Sequence, residues 1–145
     1  MTTLVPQIDT DAFKGGLNML LGRIVLILTG ASFAGYGVAC LLNPELPAGY
    51  IGIELSGVSG TVEVVAMYGG LQGAFGLLCF YLAAAPERVR SGLILVLVIC
   101  GGLAFGRGFG LLVHGTSSYN LGALAYEMTT TALAGLSVRR LGSGV

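Results

Sequence analysis

The sequence predicts an all-α fold: an integral membrane four-helix bundle with both termini cytoplasmic. Three observations lead there. Only 10% of the 145 residues are charged, 7 basic and 7 acidic, whereas soluble domains carry about 25% to face water on all sides. Four apolar stretches have the roughly 17–25 residues that a membrane-crossing helix needs. Finally, the loop cations all fall on one side of those stretches. The same counts exclude a nucleic-acid binder, because there is no basic excess to neutralise phosphates. The 25 glycines do not signal collagen, since they lack a Gly-X-Y period and lie inside apolar runs, where membrane helices tolerate them.

A single transmembrane domain accounts for residues 1–145. The first span covers Ile24–Leu42, between Arg23 and Asn43-Pro44. A cleaved signal peptide is the competing reading, but its apolar core is usually about 7–15 residues, and Gly37 stands where a lipoprotein signal has Leu. Asp9–Phe13 reads as an interfacial lead-in. The second span covers Val64–Ala85 and closes at Pro86-Glu87-Arg88. The third covers Ser91–Val113, interrupted by Arg107, and the fourth Asn120–Val138, interrupted by Glu127. Leu141–Val145 reads as a frayed tail.

Lys14 and Arg23 precede the first span, Arg88 and Arg90 occupy the second connection, and Arg139 and Arg140 follow the fourth span. The opposite loops carry Glu45, Glu54, Glu63 and His114 and no Lys or Arg. By the positive-inside rule the cation-bearing side is cytoplasmic, so a multi-pass protein of the inner (cytoplasmic) membrane is expected. The long outer connection, residues 43–62, alternates Ile51, Ile53 and Leu55 with Gly52 and Glu54, a weak strand or hairpin signal. It is expected either to rest on the membrane surface or to lie as a lid over the bundle's outer half.

Small residues four apart let helix backbones approach closely in lipid. Gly30, Ala34 and Gly37 form such a stripe on the first span, Gly69, Gly73 and Gly76 on the second, and Gly102, Gly106 and Gly110 on the third. These stripes predict a tight bundle with little central volume. Gly106-Arg107-Gly108-Phe109-Gly110 is not a nucleotide loop, because it lies within a span and lacks the preceding strand. Cys40, Cys79 and Cys100 form no Cys-x-x-Cys or Cys/His cluster, so neither a metal site nor a dithiol motif is expected, and no cofactor is called for.

The chemistry concentrates on two ionisable residues. Arg107 lies about 7–8 Å, and Glu127 about 3 Å, outward of the middle of its span, at 1.5 Å per residue. Each charge alone would cost about 2.5–3.5 kcal/mol at the membrane centre on the insertion scale. Opposite charges at similar depth on consecutive helices invite a forked salt bridge. Tyr68, Gln72 and Gly76 share a face of the second span, His114 follows Arg107 on its stripe, and Tyr126, Thr130 and Thr131 flank Glu127. The pair is read either as an interhelical clamp fixing register or as the floor of a polar pocket. In the second reading Glu127, Arg107 and Tyr68 are the candidate catalytic residues, with Gln72, His114, Tyr126 and Thr130 the candidate ligand-binding ones.

Met67-Tyr68-Gly69-Gly70-Leu71-Gln72, Gly106-Arg107 with Gly110, His114-Gly115 and Glu127 form a pattern. It resembles a family of small four-helix bacterial membrane proteins of unknown function, similar to the DoxX-like group. The resemblance implies a four-helix bundle and directs attention to Tyr68, Arg107 and Glu127; it implies no substrate. Relatives in the wider group are linked to quinone-coupled oxidation or envelope redox assemblies, an analogy of fold alone. This sequence departs from the pattern at Val65, where the family often has Arg, and at His114, where it has Asp.

The leading functional expectation is a small membrane protein without a recognised catalytic motif: an accessory subunit of a larger membrane complex, or a binder of a lipophilic small molecule in an outer-half polar pocket. The alternative is a membrane-embedded acid/base isomerase, cyclase or epoxide-opening enzyme acting on an isoprenoid, sterol or quinone-like substrate, with Glu127 as general acid or base and Tyr68 as donor. A transporter would require an oligomer, because a neutralised pair in four helices gives no aqueous path. Membrane lipids are the expected surroundings.

Overall fold

A computed structural model describes residues 10–142, all of them in helices or short connections, with no strand among them. Helix α1 spans Thr10–Leu42, α2 Glu45–Ile51 and α3 Gly57–Val64. A π-helical stretch, Val65–Leu71, joins α3 without a break to α4, Gln72–Ala83; α5 spans Pro86–His114 and α6 Ser118–Gly142. The interfacial segment expected over Asp9–Phe13 is thus largely the first turn of α1, with Asp9 outside the described residues. The expected tail is helical as far as Gly142, and residues 143–145 also lie outside.

Three helical stretches, Asp11–Leu42, Gly57–Ala83 and Pro86–His114, are long and apolar enough to cross a membrane, which marks the chain as a membrane protein. Helix α6 has 25 residues but is absent from that set, because Asn120, Glu127 and its threonines dilute the apolar run. The helices begin earlier than hydropathy predicts, since polar ends such as Thr10–Arg23 extend a helix without extending its apolar core.

The helix ends have local causes. Asn43 Oδ1 accepts the Glu45 N–H at 3.1 Å, turning the chain after α1. Ala85 is extended (φ −129°, ψ 133°), as a residue before proline prefers, and Pro86 then opens α5 with its preset φ. Arg23 Nε donates to the Ala83 carbonyl at 2.9 Å, satisfying the exposed end of α4. Gly52 (φ 76°) lets the chain leave α2 in a left-handed turn.

The connection over residues 43–62 corrects the strand expectation: it forms α2 and the first turns of α3, because Pro47 is buried and pins α2 against the bundle. Ile51 and Ile53 point into cavities beneath, so apolar alternation here reflects two inward contacts rather than a pleat.

Helix α1 packs along α4, and α5 along α6, with α1 also touching α5 and α6. At the α1–α4 crossing a Cβ on Gly37 would stand 2.5 Å from the Gly73 nitrogen, and one on Gly76 would meet the Gly30 carbonyl oxygen at 2.7 Å. The third stripe behaves differently: nothing described lies within 4 Å of a Cβ built on Gly102, Gly106 or Gly110. These glycines line an open cavity instead, so the expectation of α5 glycines as packing surface is corrected.

The buried core sits toward the Pro86 end. Leu26, Ala83, Val89, Leu93, Val96 and Cys100 are fully or almost fully buried. Beyond Cys100 no residue of α5 is buried, and the bundle opens. The expectation of little central volume is therefore corrected as well: in this half cavities lie between α5 and the π-helical stretch.

Gly37→Ala is expected to destabilise the detergent-solubilised protein by about 1–3 kcal/mol, the usual cost of overpacking. Gly106→Ala, with open space around it, should be neutral or stabilising, since Ala is the better helix former by about 1 kcal/mol. Paired thermal unfolding curves check the contrast.

Candidate functional site

The site is built on two helical stripes that continue the core outward. On α6 the buried residues Glu127, Thr130, Ala134 and Ser137 follow helical spacing, and Glu127 is the last of them toward the open end. On α5 the buried stripe Val89, Leu93, Val96 and Cys100 reaches Arg107 two turns further on. The two stripes face each other, so the two charges meet.

Their contact is a fork. Arg107 Nε donates to Glu127 Oε2 at 2.9 Å and to Oε1 at 3.1 Å, and Nη2 donates to Oε1 at 2.7 Å. Nη1 donates to Asn120 Oδ1 at 2.7 Å. Asn120 in turn donates through Nδ2 to Ser117 Oγ at 3.0 Å, which ties the pair to the start of α6. The Glu127 side chain is only 6% exposed and that of Arg107 24%, so the carboxylate is the buried member and the guanidinium reaches into open space. Thr131 Oγ1 donates to the Glu127 backbone carbonyl at 2.7 Å, a common back-bond within a helix.

A cavity of about 420 Å³ opens beside the fork. Tyr68, Gln72, Arg107, Tyr126 and Glu127 all line it, so five of the residues nominated from sequence are gathered around one space. A second cavity of about 620 Å³, walled mainly by Met67, Leu71, Phe75 and Ile99, shares Phe33, Tyr68, Gln72 and Leu103 with the first. Tyr68 lies on the π-helical stretch. Such stretches insert an extra residue into a helical turn and are frequent at functional sites. Here the wider turn leaves Tyr68 and Gln72 at the cavities while Gly76 faces α1, so the expected shared face of Tyr68, Gln72 and Gly76 is split.

Two nominated residues stand elsewhere. His114 is exposed and lines a separate cavity of about 650 Å³, which also borders Arg107 and Asn120. Thr130 is buried, lining a groove of about 660 Å³ toward α1 with Thr29 and Ser137. It follows Glu127 on the buried stripe of α6 but borders this groove and not the central cavity, which corrects its assignment to the same pocket.

Sequence reasoning missed Tyr36 and Tyr119, which neighbour each other and line the central cavity, and also Asn120. Each left a signal. Tyr36 lies on the inward side of α1 next to Phe33, Gly37 and Cys40, and Asn120 is the polar residue one helical stripe before Glu127. Neither lies among the residues of the second to fourth spans that directly flank Arg107 and Glu127 in sequence. No group of three His, Cys, Asp or Glu side chains able to hold a metal occurs among the described residues, and Cys40, Cys79 and Cys100 are buried and unbridged.

A forked, largely buried ion pair lines a cavity bordered by tyrosines, and that cavity shares a wall with a more apolar one, in a helical membrane protein. The chain belongs to the family defined by the domain of unknown function DUF4345, whose model matches residues 21–137 and so includes every site residue named above. No curated protein and no solved structure matches it. A family of unknown function is thus found, while none of these comparisons links the chain to the DoxX-like group.

Removing one partner of a buried pair strands the other charge, at a cost of about 3–5 kcal/mol. Arg107→Ala and Glu127→Ala should each destabilise the protein on that scale, whereas the double variant Arg107→Met/Glu127→Met should lose much less. Asn120→Ala should cost about 1–3 kcal/mol, as expected for one hydrogen bond to a charged group. Denaturant or thermal unfolding of the four variants in one detergent measures the order.

Proposed function

We propose that the protein is a four-span, multi-pass component of the inner membrane, both termini cytoplasmic, that binds a lipophilic small molecule at the Arg107–Glu127 site. The observation that carries the binding reading is the pairing of cavities: a polar space walled by the ion pair and an apolar space share Tyr68, Gln72, Phe33 and Leu103. Both volumes lie in the range of about 300–1,000 Å³ typical of small-molecule sites. A neutral clamp whose only role was register would not need empty space beside it.

Helix α6 serves as the fourth span in this reading. Its 25 residues extend about 37 Å at 1.5 Å per residue, and the charge that lowers its hydropathy is neutralised by Arg107. The orientation is supported by Arg23, Arg88, Arg90, Arg139 and Arg140, which lie at the α4–α5 turn end of the helices, away from Glu45, Glu54 and Glu63. The close α1–α4 approach through Gly37, Gly73 and Gly76 supports glycine-rich packing as the means by which the bundle holds together without a large apolar driving force.

Binding is favoured over acid–base catalysis by the state of Glu127. Two N–H groups of Arg107 fork onto its two oxygens, so a substrate proton would have to compete with that fork for the carboxylate. Residues able to orient a ligand (Tyr36, Tyr68, Gln72, Tyr119 and Tyr126) are more numerous around the cavity than residues able to move a proton.

The experiment is mass spectrometry of the protein purified in mild detergent. A lipophile retained in a fixed ratio by the wild type, and lost in the variant Leu103→Trp that fills the wall common to both cavities, is the expected result. An empty wild-type protein would count against the reading.

A further inference from the structure

We infer that the ligand is an amphiphile with an uncharged, hydrogen-bonding head, seated with the head against the Arg107–Glu127 fork and the tail in the apolar cavity. This rests on the binding reading above and adds the chemical class of the ligand and its direction.

Charge decides the head. The charged residues lining the central cavity are Arg107 and Glu127, and they neutralise each other through a fork with N···O distances of 2.7–3.1 Å. A head carrying net charge would enter this low-dielectric space with no opposite charge left to meet it, which is costly for any buried ion. What the cavity does offer is neutral: the hydroxyls of Tyr36, Tyr68, Tyr119 and Tyr126 and the amide of Gln72, groups that both donate and accept. The guanidinium, with 24% of its side chain exposed, still presents N–H groups not used by Glu127 or Asn120, and these suit a carbonyl, ether or hydroxyl oxygen.

The tail follows from the shared wall. Tyr68 and Gln72 border both cavities, so a molecule whose head they hold extends next along Met67, Leu71, Phe75 and Ile99. That route runs between the π-helical stretch and α5, the side on which the bundle is unpacked beyond Cys100. Glu63 is exposed and lines the apolar cavity, so a cationic amphiphile with its head at Glu63 is the principal competitor, and it would bind in the reverse direction.

The test places the protein in phosphatidylcholine nanodiscs containing equal, trace amounts of dodecanol, dodecyl sulfate and dodecyltrimethylammonium, and reads the retained probe by native mass spectrometry. Dodecanol should be enriched by about tenfold or more over both ions, since an unpaired charge in an apolar site costs at least that. Tyr68→Phe, which leaves the ion pair in place, should weaken dodecanol retention by about three- to tenfold, the worth of one hydrogen bond. Glu127→Gln, which leaves Arg107 uncompensated, should shift the preference to dodecyl sulfate. Equal retention of the three probes, or a wild-type preference for either ion, overturns the neutral-head inference while leaving binding itself intact. Retention of none removes the binding reading and this inference with it. A dodecyltrimethylammonium preference abolished by Glu63→Gln would establish the reverse direction instead.

Discussion

The structure depends on burying one carboxylate. Glu127 closes the inward stripe of α6 at a depth where an unpaired charge would be expelled, and only the Arg107 fork makes that position tenable. Everything in the open half is arranged around this constraint. Arg107 must reach across from α5, Asn120 and Ser117 must hold its other edge, and the helices must stand far enough apart to admit a guanidinium. One cavity opens beside the pair, bordered by α1, the π-helical stretch, α5 and α6. A core of the density found around Leu93 and Val96 could not contain the pair.

The two halves of the bundle thus solve different problems. Toward Pro86, apolar side chains fix the helix positions, with Arg23 satisfying a helix end. Toward His114, polar contacts join α5 to α6 and α5 has no buried residue, while α1 stays in close glycine contact with the π-helical stretch and α4. The π-helical stretch lies in the open half, where a widened turn disturbs little of the core. It carries Tyr68 to the wall between the polar and apolar cavities, so backbone irregularity and candidate chemistry coincide.

Much of this was legible in the sequence. Low charge and long apolar runs announced membrane-crossing helices, and two opposite charges at matching depth announced a pair. The misreadings have physical causes. Residues 43–62 alternate like a strand, but a buried Pro47 anchors α2 against the bundle, and Gly52 and Gly57 at positive φ turn the chain between α2 and α3. Gly102, Gly106 and Gly110 repeat like a packing stripe, yet a stripe records only which residues share a face, not whether a neighbour comes to it. Thr130 lies one turn from Glu127 on the same buried stripe of α6, yet it borders the groove toward α1 and not the central cavity. Tyr36 and Tyr119 come from the two ends of the chain, so only the fold brings them together.

In the proposed reading one ion pair both holds the bundle and forms a directional wall of a ligand site. Reversing it with Arg107→Glu and Glu127→Arg together tests both halves at once. The account predicts that thermal stability recovers well above that of either single reversal, because opposite charges still meet. It also predicts that the retained lipophile is lost, because the donor edge then faces away from Tyr68 and Gln72. Recovery of stability and ligand together would show that the orientation of the pair is immaterial to the site and would contradict the account.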